Sequence, residues 1–150
     1  MKKCINTKIG YITMEEKNGF IIRISFGKEE SDGDSFVLSS CANQLMEYLE
    51  GQRKVFDVPI LLNGTSFQKA CWNALLKIEY GKTVSYSDIA NEIHNPKALR
   101  AVGQAIHNNP IAIVVPCHRV IGKNKKLVGY AYGLDMKQEL LDIERDALCL

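Results

Sequence analysis

Cys117 and His118 are the adjacent pair in this sequence with the clearest potential for chemistry. A cysteine thiolate is a strong nucleophile, and a neighbouring imidazole can act as the base that removes the thiol proton. Pro116 and the apolar run before it restrict the backbone here, as a rigidly held nucleophile requires. The positive charge of Arg119 is expected to favour the thiolate. We therefore predict a reactive nucleophile at Cys117, although a Cys-His pair alone also fits a buried structural thiol beside a surface imidazole.

A third group must hold the imidazole of His118 in position if it is to act as a base. The end of the chain is predicted to form a last helix, capped by Asp135 and continuing through about Ala147. This helix offers two carboxylates, Glu139 and Glu144, and the sequence pattern leaves open which of them faces the histidine.

The middle of the chain differs in charge from both ends. The whole chain has a net charge of +2. Residues 63–126 contain nine Lys or Arg and three Asp or Glu, a net charge of +6, whereas residues 1–62 carry −1 and residues 127–150 carry −3. A basic segment favours a polyanion such as nucleic acid as partner. A solvated basic surface fits the same count.

Residues 1–62 are predicted to form a β-rich lobe. Apolar and polar residues alternate from Phe20 to Phe26, as in a half-buried strand, and a second strand is predicted at 11–14. Asn18-Gly19 between them is a strong signal for a hairpin turn. The other predicted elements are a third strand at 36–38, a helix capped by Ser40 and running through Glu50, and a strand or extended connector at 55–62.

Residues 63–150 are predicted to form a mainly helical lobe. Ser85, with Asp88 three residues later, is predicted to begin a short helix, and Pro96 suits the first turn of the next helix, from Lys97 to His107. Two helices separated by a short break indicate a helix-turn-helix. The other predicted elements are a helix capped by Ser66, a buried extended segment at 111–115 that leads to Cys117, and a polar loop at 122–126.

The five cysteines include no CxxC pair, which favours reduced thiols over a disulfide scaffold or a zinc site. No histidine precedes His94, so we predict no metal ligands in the first lobe and no cofactor. The sequence shows no signal peptide and no apolar run long enough to cross a membrane. A soluble protein of the cytoplasm, or of the nucleus in a eukaryote, is therefore expected.

The run Pro116-Cys117-His118-Arg119-Val120 resembles the signature of the O6-alkylguanine-DNA alkyltransferases, also called methylated-DNA–protein-cysteine methyltransferases. The resemblance is strong over residues 63–146 and weak over residues 1–62. It implies an α/β (α+β) fold in which a β-rich, RNase H-like lobe packs on a helical lobe with a helix-turn-helix. The further matching positions are Gly64 to Gln68, Trp72, Tyr80 to Thr83, Ser85-Tyr86, Ile89-Ala90, Asn95 to Ala98, Arg100 to Gly103, Asn109-Pro110, Gly129-Tyr130, Gly133-Leu134, Lys137 and Glu144.

The resemblance also implies a role for each matching active-site residue. Cys117 would attack the alkyl carbon on guanine O6, and His118, acting through a water and oriented by Glu144, would take the thiol proton. Tyr86 would lie against the flipped nucleotide and help protonate the departing guanine. Asn109 would hold the backbone between the helix-turn-helix and the active-site segment. On this view Glu144 serves only His118.

The DNA contacts follow from the same resemblance. The second helix of the helix-turn-helix would enter the minor groove, where its small residues, including Ala98 and Ala101, allow close approach. Arg100 would fill the gap that the flipped base leaves in the stack. Asn95 would contribute to the same surface, and Lys123 would contact phosphate unless its loop is simply solvated.

The substrate pocket is expected to include Val120, Tyr130, Ala131 and Tyr132. The carbonyls of Cys117 and Val120 would read the exocyclic amine of guanine, and the N–H of Ala131 would contact O6. Tyr132 replaces a glycine that is common in the family. We predict that it narrows the pocket rim and slows bulky substrates.

The predicted function is irreversible transfer of an alkyl group from O6-alkylguanine, and less readily from O4-alkylthymine, in double-stranded DNA to Cys117. Each molecule, expected to be a monomer, would act once because a thioether is not reversed by simple hydrolysis. Two alternatives remain: a non-catalytic protein that binds alkylated DNA, and a helix-turn-helix regulator. Cys117 disfavours the first, and the absence of a second, metal-binding cysteine domain disfavours the second.

Overall fold

The computed structural model describes residues 1–149, and its first part is a three-stranded antiparallel sheet in the order β1-β2-β3. The strands are β1 (Lys2–Thr7), β2 (Gly10–Lys17) and β3 (Phe20–Phe26). The predicted hairpin is confirmed: Asn18 and Gly19 both have positive φ, 52° and 85°, which lets a tight turn join β2 to β3. Strand β1 was not predicted, because its polar residues give no alternating pattern.

The helix α1 (Phe36–Leu49) packs against this sheet. The predicted third strand at 36–38 is therefore wrong, and so is the predicted cap at Ser40. Ser35 is the cap, because its hydroxyl accepts a hydrogen bond from the N–H of Leu38. The buried side chains that follow recur at helical spacing, so packing on the sheet overrides the β-propensity of the Phe-Val-Leu run.

The segment between the lobes is an extended connector rather than a full strand. Ile60 forms an isolated parallel bridge with Ile21 of β3, flanked by hydrogen bonds from Ile21 N to Pro59 O and from Leu61 N to Ile21 O. One cluster of buried apolar side chains runs through both halves of the chain. The domain boundary after residue 62 thus stays a prediction.

Two short helices with similar caps open the helical part. Helix α2 (Ser66–Leu75) is capped by Thr65 rather than Ser66, because Thr65 and Gln68 exchange side-chain and backbone hydrogen bonds. Helix α3 (Tyr86–Glu92) has the predicted cap, in which Ser85 and Asp88 make the same exchange.

Helix α4 (Leu99–His107) follows α3 after a turn and packs against it, giving the predicted helix-turn-helix arrangement. It begins two residues after Lys97, so Pro96 lies in the turn outside the helix. Ala98 occupies the cap position and provides no side-chain hydrogen bond.

The chain then turns sharply before Cys117. The predicted extended conformation at 111–115 is wrong: Ile113 has a φ of 70°, and Val115 N donates to Ile111 O across a tight turn. The segment is largely buried, as predicted, and Ile111 bridges Ile24 of β3.

The remaining elements surround this segment. The short strands β4 (Val84–Ser85) and β5 (Val120–Ile121) pair in parallel and bring the start of α3 beside the residues after Cys117. The last helix is α5 (Leu134–Leu148); Gly133 holds its cap position, with a φ of 95°, where Asp135 was predicted. The α/β architecture expected from the sequence is confirmed. None of the helices within residues 1–149 has the length and hydropathy needed to cross a membrane.

Candidate active site

Cys117 begins a single turn of 3-10 helix (Cys117–Arg119) and is only 5% exposed. The side chain of Asn109, just after α4, donates hydrogen bonds to Cys117 Sγ at 3.1 Å and to Val115 O at 2.8 Å. Its Oδ1 accepts from Ile111 N at 3.0 Å. Asn109 therefore ties the end of the helix-turn-helix to the turn that carries the thiol.

His118 and Glu144 form a buried pair. The Nε2 atom of His118 lies 2.6 Å from Oε2 of Glu144, and both side chains are at most 1% exposed. A carboxylate accepts, so Nε2 carries a proton and Nδ1 holds a lone pair in the neutral ring. Nδ1 is buried and has no hydrogen-bond partner within residues 1–149. Burial lowers the pKa of His118 despite the opposing pull of Glu144, which keeps the ring neutral and able to accept a proton.

The carboxylate of Glu144 receives hydrogen bonds on both oxygens. Oε1 accepts from Gly81 N at 3.0 Å and from Arg119 Nε at 2.9 Å, and Oε2 also accepts from Tyr48 OH at 2.5 Å. Burial alone would raise the pKa of Glu144, but hydrogen bonds from His118 and Arg119 lower it to about 2. The group is therefore ionised at neutral pH. The expectation that it serves only His118 is wrong.

Glu139, the other candidate on α5, is exposed and makes no contact with the histidine in the described part of the chain. Glu144 is the carboxylate of this helix that faces inward. The question that the sequence pattern left open is thus decided by which side of α5 is buried.

Arg119 does not act on the thiol as predicted. Its guanidinium pairs with Glu144, donates to Ile78 O at 2.7 Å and lies over the ring of Tyr80 at 5.6 Å. The cation that acts on Cys117 is instead Lys137 of α5, which is buried.

Lys137 also fixes the backbone around the site. Its ammonium donates to the carbonyl of Val120, and to those of Val128 and Gly129, each at 2.9 Å. Burial lowers the pKa of Lys137 to about 8, while the nearby charge of Cys117 acts in the opposite direction. The side chain thus joins β5 to the segment before α5.

The thiol itself is protonated at rest. Burial raises the pKa of Cys117, and the hydrogen bond from Asn109 and the charge of Lys137 offset this only in part. A buried thiol of this kind needs a base, and the unpartnered Nδ1 of His118 is suited to that task.

A small cavity of about 70 Å³ lies between the start of α3, the helix α4 and the segment 129–131. Tyr86 at the start of α3 borders it and donates to Val128 O at 3.2 Å. The hydroxyl of Tyr130 is buried and lies near the thiol of Cys117, whose pKa it helps to lower. Burial, followed by the charge of Cys117, raises the pKa of both tyrosines, so both stay protonated. The lining residues are Tyr86, Gly103, Ile106, His107, Gly129, Tyr130 and Ala131.

Tyr132 lies behind this cavity rather than in its wall. Its ring packs edge-on against Phe26 of β3, with centroids 4.9 Å apart, and against Tyr130, with centroids 5.8 Å apart. Burial, followed by the charge of Cys117, raises the pKa of Tyr132, so its ring lies near the thiol as well as against Tyr130.

The residues expected to contact DNA lie apart from this buried cluster. Arg100 and Ala101 are exposed on α4, Asn95 is exposed in the turn before it, and Lys123 is exposed in the 122–126 loop. Arg100 forms no ion pair with any residue from 1 to 149. A Cβ atom added to Gly103 would meet no atom within 4 Å, so the surface of α4 is open there.

Tyr48 and Lys137 were not assigned roles from the sequence. Lys137, Leu140 and Glu144 share one buried face of α5, and two charged residues in such a stripe are a signal that spacing could have revealed. Tyr48 offers no such signal, since it lies among ordinary core residues of α1. Residues 1–149 contain no cluster of three or more His, Cys, Asp or Glu that could hold a metal ion.

Comparison with known proteins agrees with these observations. Residues 66–146 match the family model described as 6-O-methylguanine DNA methyltransferase, DNA binding domain, and residues 1–62 match the ribonuclease-like domain of the same family. The chain is 57% identical over 114 residues, 76% of its length, to the inducible methylated-DNA–protein-cysteine methyltransferase of Bacillus subtilis. It is 58% identical over 103 residues, 69% of its length, to the methylated-DNA–protein-cysteine methyltransferase of Methanosarcina acetivorans.

These matches span 64% and 66% of the two relatives, slightly less than two thirds of their length. Among solved structures, Mycobacterium tuberculosis OGT in complex with DNA is similar over 97% of this chain and 93% of its own, with 41% identity and a TM-score of 0.90. The chain therefore belongs to the 6-O-methylguanine DNA methyltransferase family.

Proposed function

We propose that the protein repairs DNA by transferring the alkyl group of O6-alkylguanine to Cys117. The observation that carries this proposal is the buried thiol held by Asn109 next to a neutral His118 paired with Glu144. Relatives named methylated-DNA–protein-cysteine methyltransferase, and a similar structure described in complex with DNA, support the same assignment.

The reaction balances with groups that the site contains. The thiol proton of Cys117 passes through a water to His118 Nδ1, and the imidazolium is stabilised by Glu144. The thiolate attacks the alkyl carbon in line with its bond to guanine O6; the S–C bond forms as the C–O bond breaks, and the electron pair goes to the guanine. A proton donated by Tyr86 neutralises the departing base, and Tyr86 is reprotonated from the proton held at His118.

The target base must leave the DNA stack to reach a thiol that is 5% exposed. The cavity of about 70 Å³ is far below the roughly 300 Å³ of typical small-molecule pockets. Entry of the nucleotide therefore requires the segment 129–131 to move. Because Lys137 binds the carbonyls of Val128 and Gly129, it is the anchor about which this segment would open.

The exposed face of α4 supports the DNA-binding part of the proposal. Ala101 and Gly103 place no large side chain on the exposed surface of α4, so the helix backbone can approach the minor groove closely, where sequence information is degenerate. A surface that distinguishes few sequences suits repair at any guanine. Arg100 projects from the same helix and would occupy the space of the flipped base.

The product is a thioether at Cys117, so each monomer acts once. O4-alkylthymine carries an equivalent alkyl ether and would be a slower substrate. No cofactor takes part in this scheme.

Transfer of label from a duplex with radiolabelled O6-methylguanine tests the proposal against its alternatives. The native chain should acquire label and Cys117→Ala should not, while Cys149→Ala, which removes an exposed thiol, should react like the native chain. Binding of the damaged duplex without transfer would instead indicate a lesion-binding protein. Equal affinity for damaged and undamaged duplex without transfer would indicate a regulator.

A further inference from the structure

Tyr48 brings a side chain from the N-terminal half of the chain to the buried relay, the name we give to Cys117, His118 and Glu144. It lies near the end of α1 and is fully buried. Its hydroxyl donates to Glu144 Oε2 at 2.5 Å and lies 3.3 Å from His118 Nε2. The same carboxylate oxygen thus accepts hydrogen bonds from Tyr48 and His118, two residues that are 70 positions apart in the sequence.

The hydroxyl of Tyr48 is a constant donor. Burial, followed by the charge of Glu144, raises the pKa of Tyr48 well above its ordinary value, so the proton stays on the phenol. A hydrogen bond to an ionised oxygen is stronger than one between neutral groups. Tyr48 therefore holds Oε2 in place and withdraws part of its negative charge from the imidazole.

We propose that Tyr48 is a positioning residue that sets the orientation and basicity of His118 through Glu144. The proposal deepens the alkyl-transfer function proposed above and rests on it. It means that the relay is completed by a residue outside the 66–146 segment that carries the thiol, the histidine and the carboxylate.

The surroundings of the pair identify which groups can influence its titration. Loss of the Tyr48 hydroxyl leaves Oε2 with one donor fewer, which strengthens its attraction for the imidazolium. The short bond to Oε2 outweighs the longer contact with Nε2, so the pKa of His118 should rise. The titratable and charged groups around the pair are Tyr48 from α1, Tyr80 after α2, Cys117 and Arg119 from the 3-10 turn, and Lys137 from α5.

Tyr80 provides a matched control. Its ring lies edge-on to that of Tyr48, with centroids 6.1 Å apart, but its buried hydroxyl has no hydrogen-bond partner within residues 1–149. Tyr80→Phe removes the same atom from the same neighbourhood without removing a donor to Glu144.

The experiment compares the native chain, Tyr48→Phe and Tyr80→Phe in methyl transfer from an O6-methylguanine duplex between pH 5 and 9. Tyr48→Phe should slow transfer about tenfold, the scale of one hydrogen bond to a charged group, and move the acid limb of the rate profile to higher pH. Tyr80→Phe should retain the native rate and profile. Affinity for the duplex should be the same for all three.

A native rate and profile for Tyr48→Phe would overturn the proposal, and so would slowing without displacement of the acid limb, which is what a purely structural role predicts. A second measurement does not depend on DNA repair: the pH profile of Cys117 modification by iodoacetamide, read by mass spectrometry. If the native chain takes no methyl group from DNA, the proposed function fails, and the iodoacetamide profiles still decide whether Tyr48 acts on the relay.

Discussion

The Nε2 atom of His118 lies 2.6 Å from Oε2 of Glu144, and both side chains are buried. This contact leaves Nδ1 of the ring as the free basic atom of the buried site. The same carboxylate also neutralises Arg119, so one group from α5 both directs the base and balances a buried cation. The proposed chemistry and the stability of the fold therefore involve the same residue.

Glu144→Gln should destabilise the protein as well as slow alkyl transfer. The substitution leaves the guanidinium of Arg119 buried without a counter-ion, which costs about 3–5 kcal/mol. Chemical denaturation of the native chain and the variant measures the difference. Glu139→Gln, on the exposed side of the same helix, is the matched control and should change the free energy of unfolding little. Similar values for both variants would show that the Arg119 pair adds nothing to stability.

Stability should fall in acid as Glu144 takes up a proton. Hydrogen bonds from His118 and Arg119 hold the pKa of Glu144 at about 2 against an ordinary value of 4.5. A carboxyl with a depressed folded-state pKa stabilises the protein above its unfolded-state pKa. This contribution, about 3 kcal/mol, is lost as the pH falls from about 4.5 through about 2.

Protonation of His118 should also lower the stability of the protein, over a higher pH range than protonation of Glu144. Burial lowers its pKa below 6.5, so the unfolded chain binds a proton there that the folded chain does not. Denaturation midpoints measured from pH 7 to pH 3 should therefore decline continuously. A flat profile over this range in the native chain would contradict both assignments.

Arg100→Ala should slow repair of duplex DNA by about tenfold while leaving reaction with free O6-benzylguanine little changed. Only the duplex requires extrusion of a base, which costs a few kcal/mol. Rates of Cys117 modification by the two substrates provide the comparison. Lys97→Ala, which removes an exposed charge just before α4, controls for the general loss of electrostatic attraction. Equal losses of rate on duplex and free base would exclude a role for Arg100 in flipping.

Tyr132→Gly should accelerate inactivation by O6-benzylguanine. In the structure Tyr132 supports Tyr130, which borders the cavity, so its removal gives the wall room to yield to a benzyl group. The rate with O6-methylguanine duplex should change less, since a methyl group needs less space. Phe26→Leu is the control, because it changes the side chain on the other side of Tyr132 without removing the ring of Tyr132. Equal benzylguanine rates in the native chain and Tyr132→Gly would refute the predicted restriction.

Local sequence signals predicted much of the fold. The Asn18-Gly19 turn and the Ser85–Asp88 cap are both present, because each depends on residues within a few positions of one another. The errors arose where distant contacts decide. Residues 36–38 look like a strand in isolation, but the cap at Ser35 and packing on the sheet make them helical.

The difference between local signals and distant contacts also decides which parts of the site could be predicted. The Cys117-His118 pair stands out in the sequence because the two residues are adjacent. The roles of Arg119 and Lys137 could not be distinguished, because both are cations and only the fold directs one to Glu144 and the other towards the thiol. Tyr48 could not be found at all, since its link to Glu144 spans 96 positions.

Alkyl transfer to Cys117 can be tested directly by incubating the protein with excess O6-methylguanine duplex. Intact-mass and peptide mass spectrometry then give the number of alkyl groups on each molecule and the residue that carries them. We predict one methyl group per molecule, located on Cys117, with no further gain on longer incubation and no methylation of Cys117→Ala. A methyl group on another residue, or continued turnover of substrate by a chain whose Cys117 remains free, would contradict it.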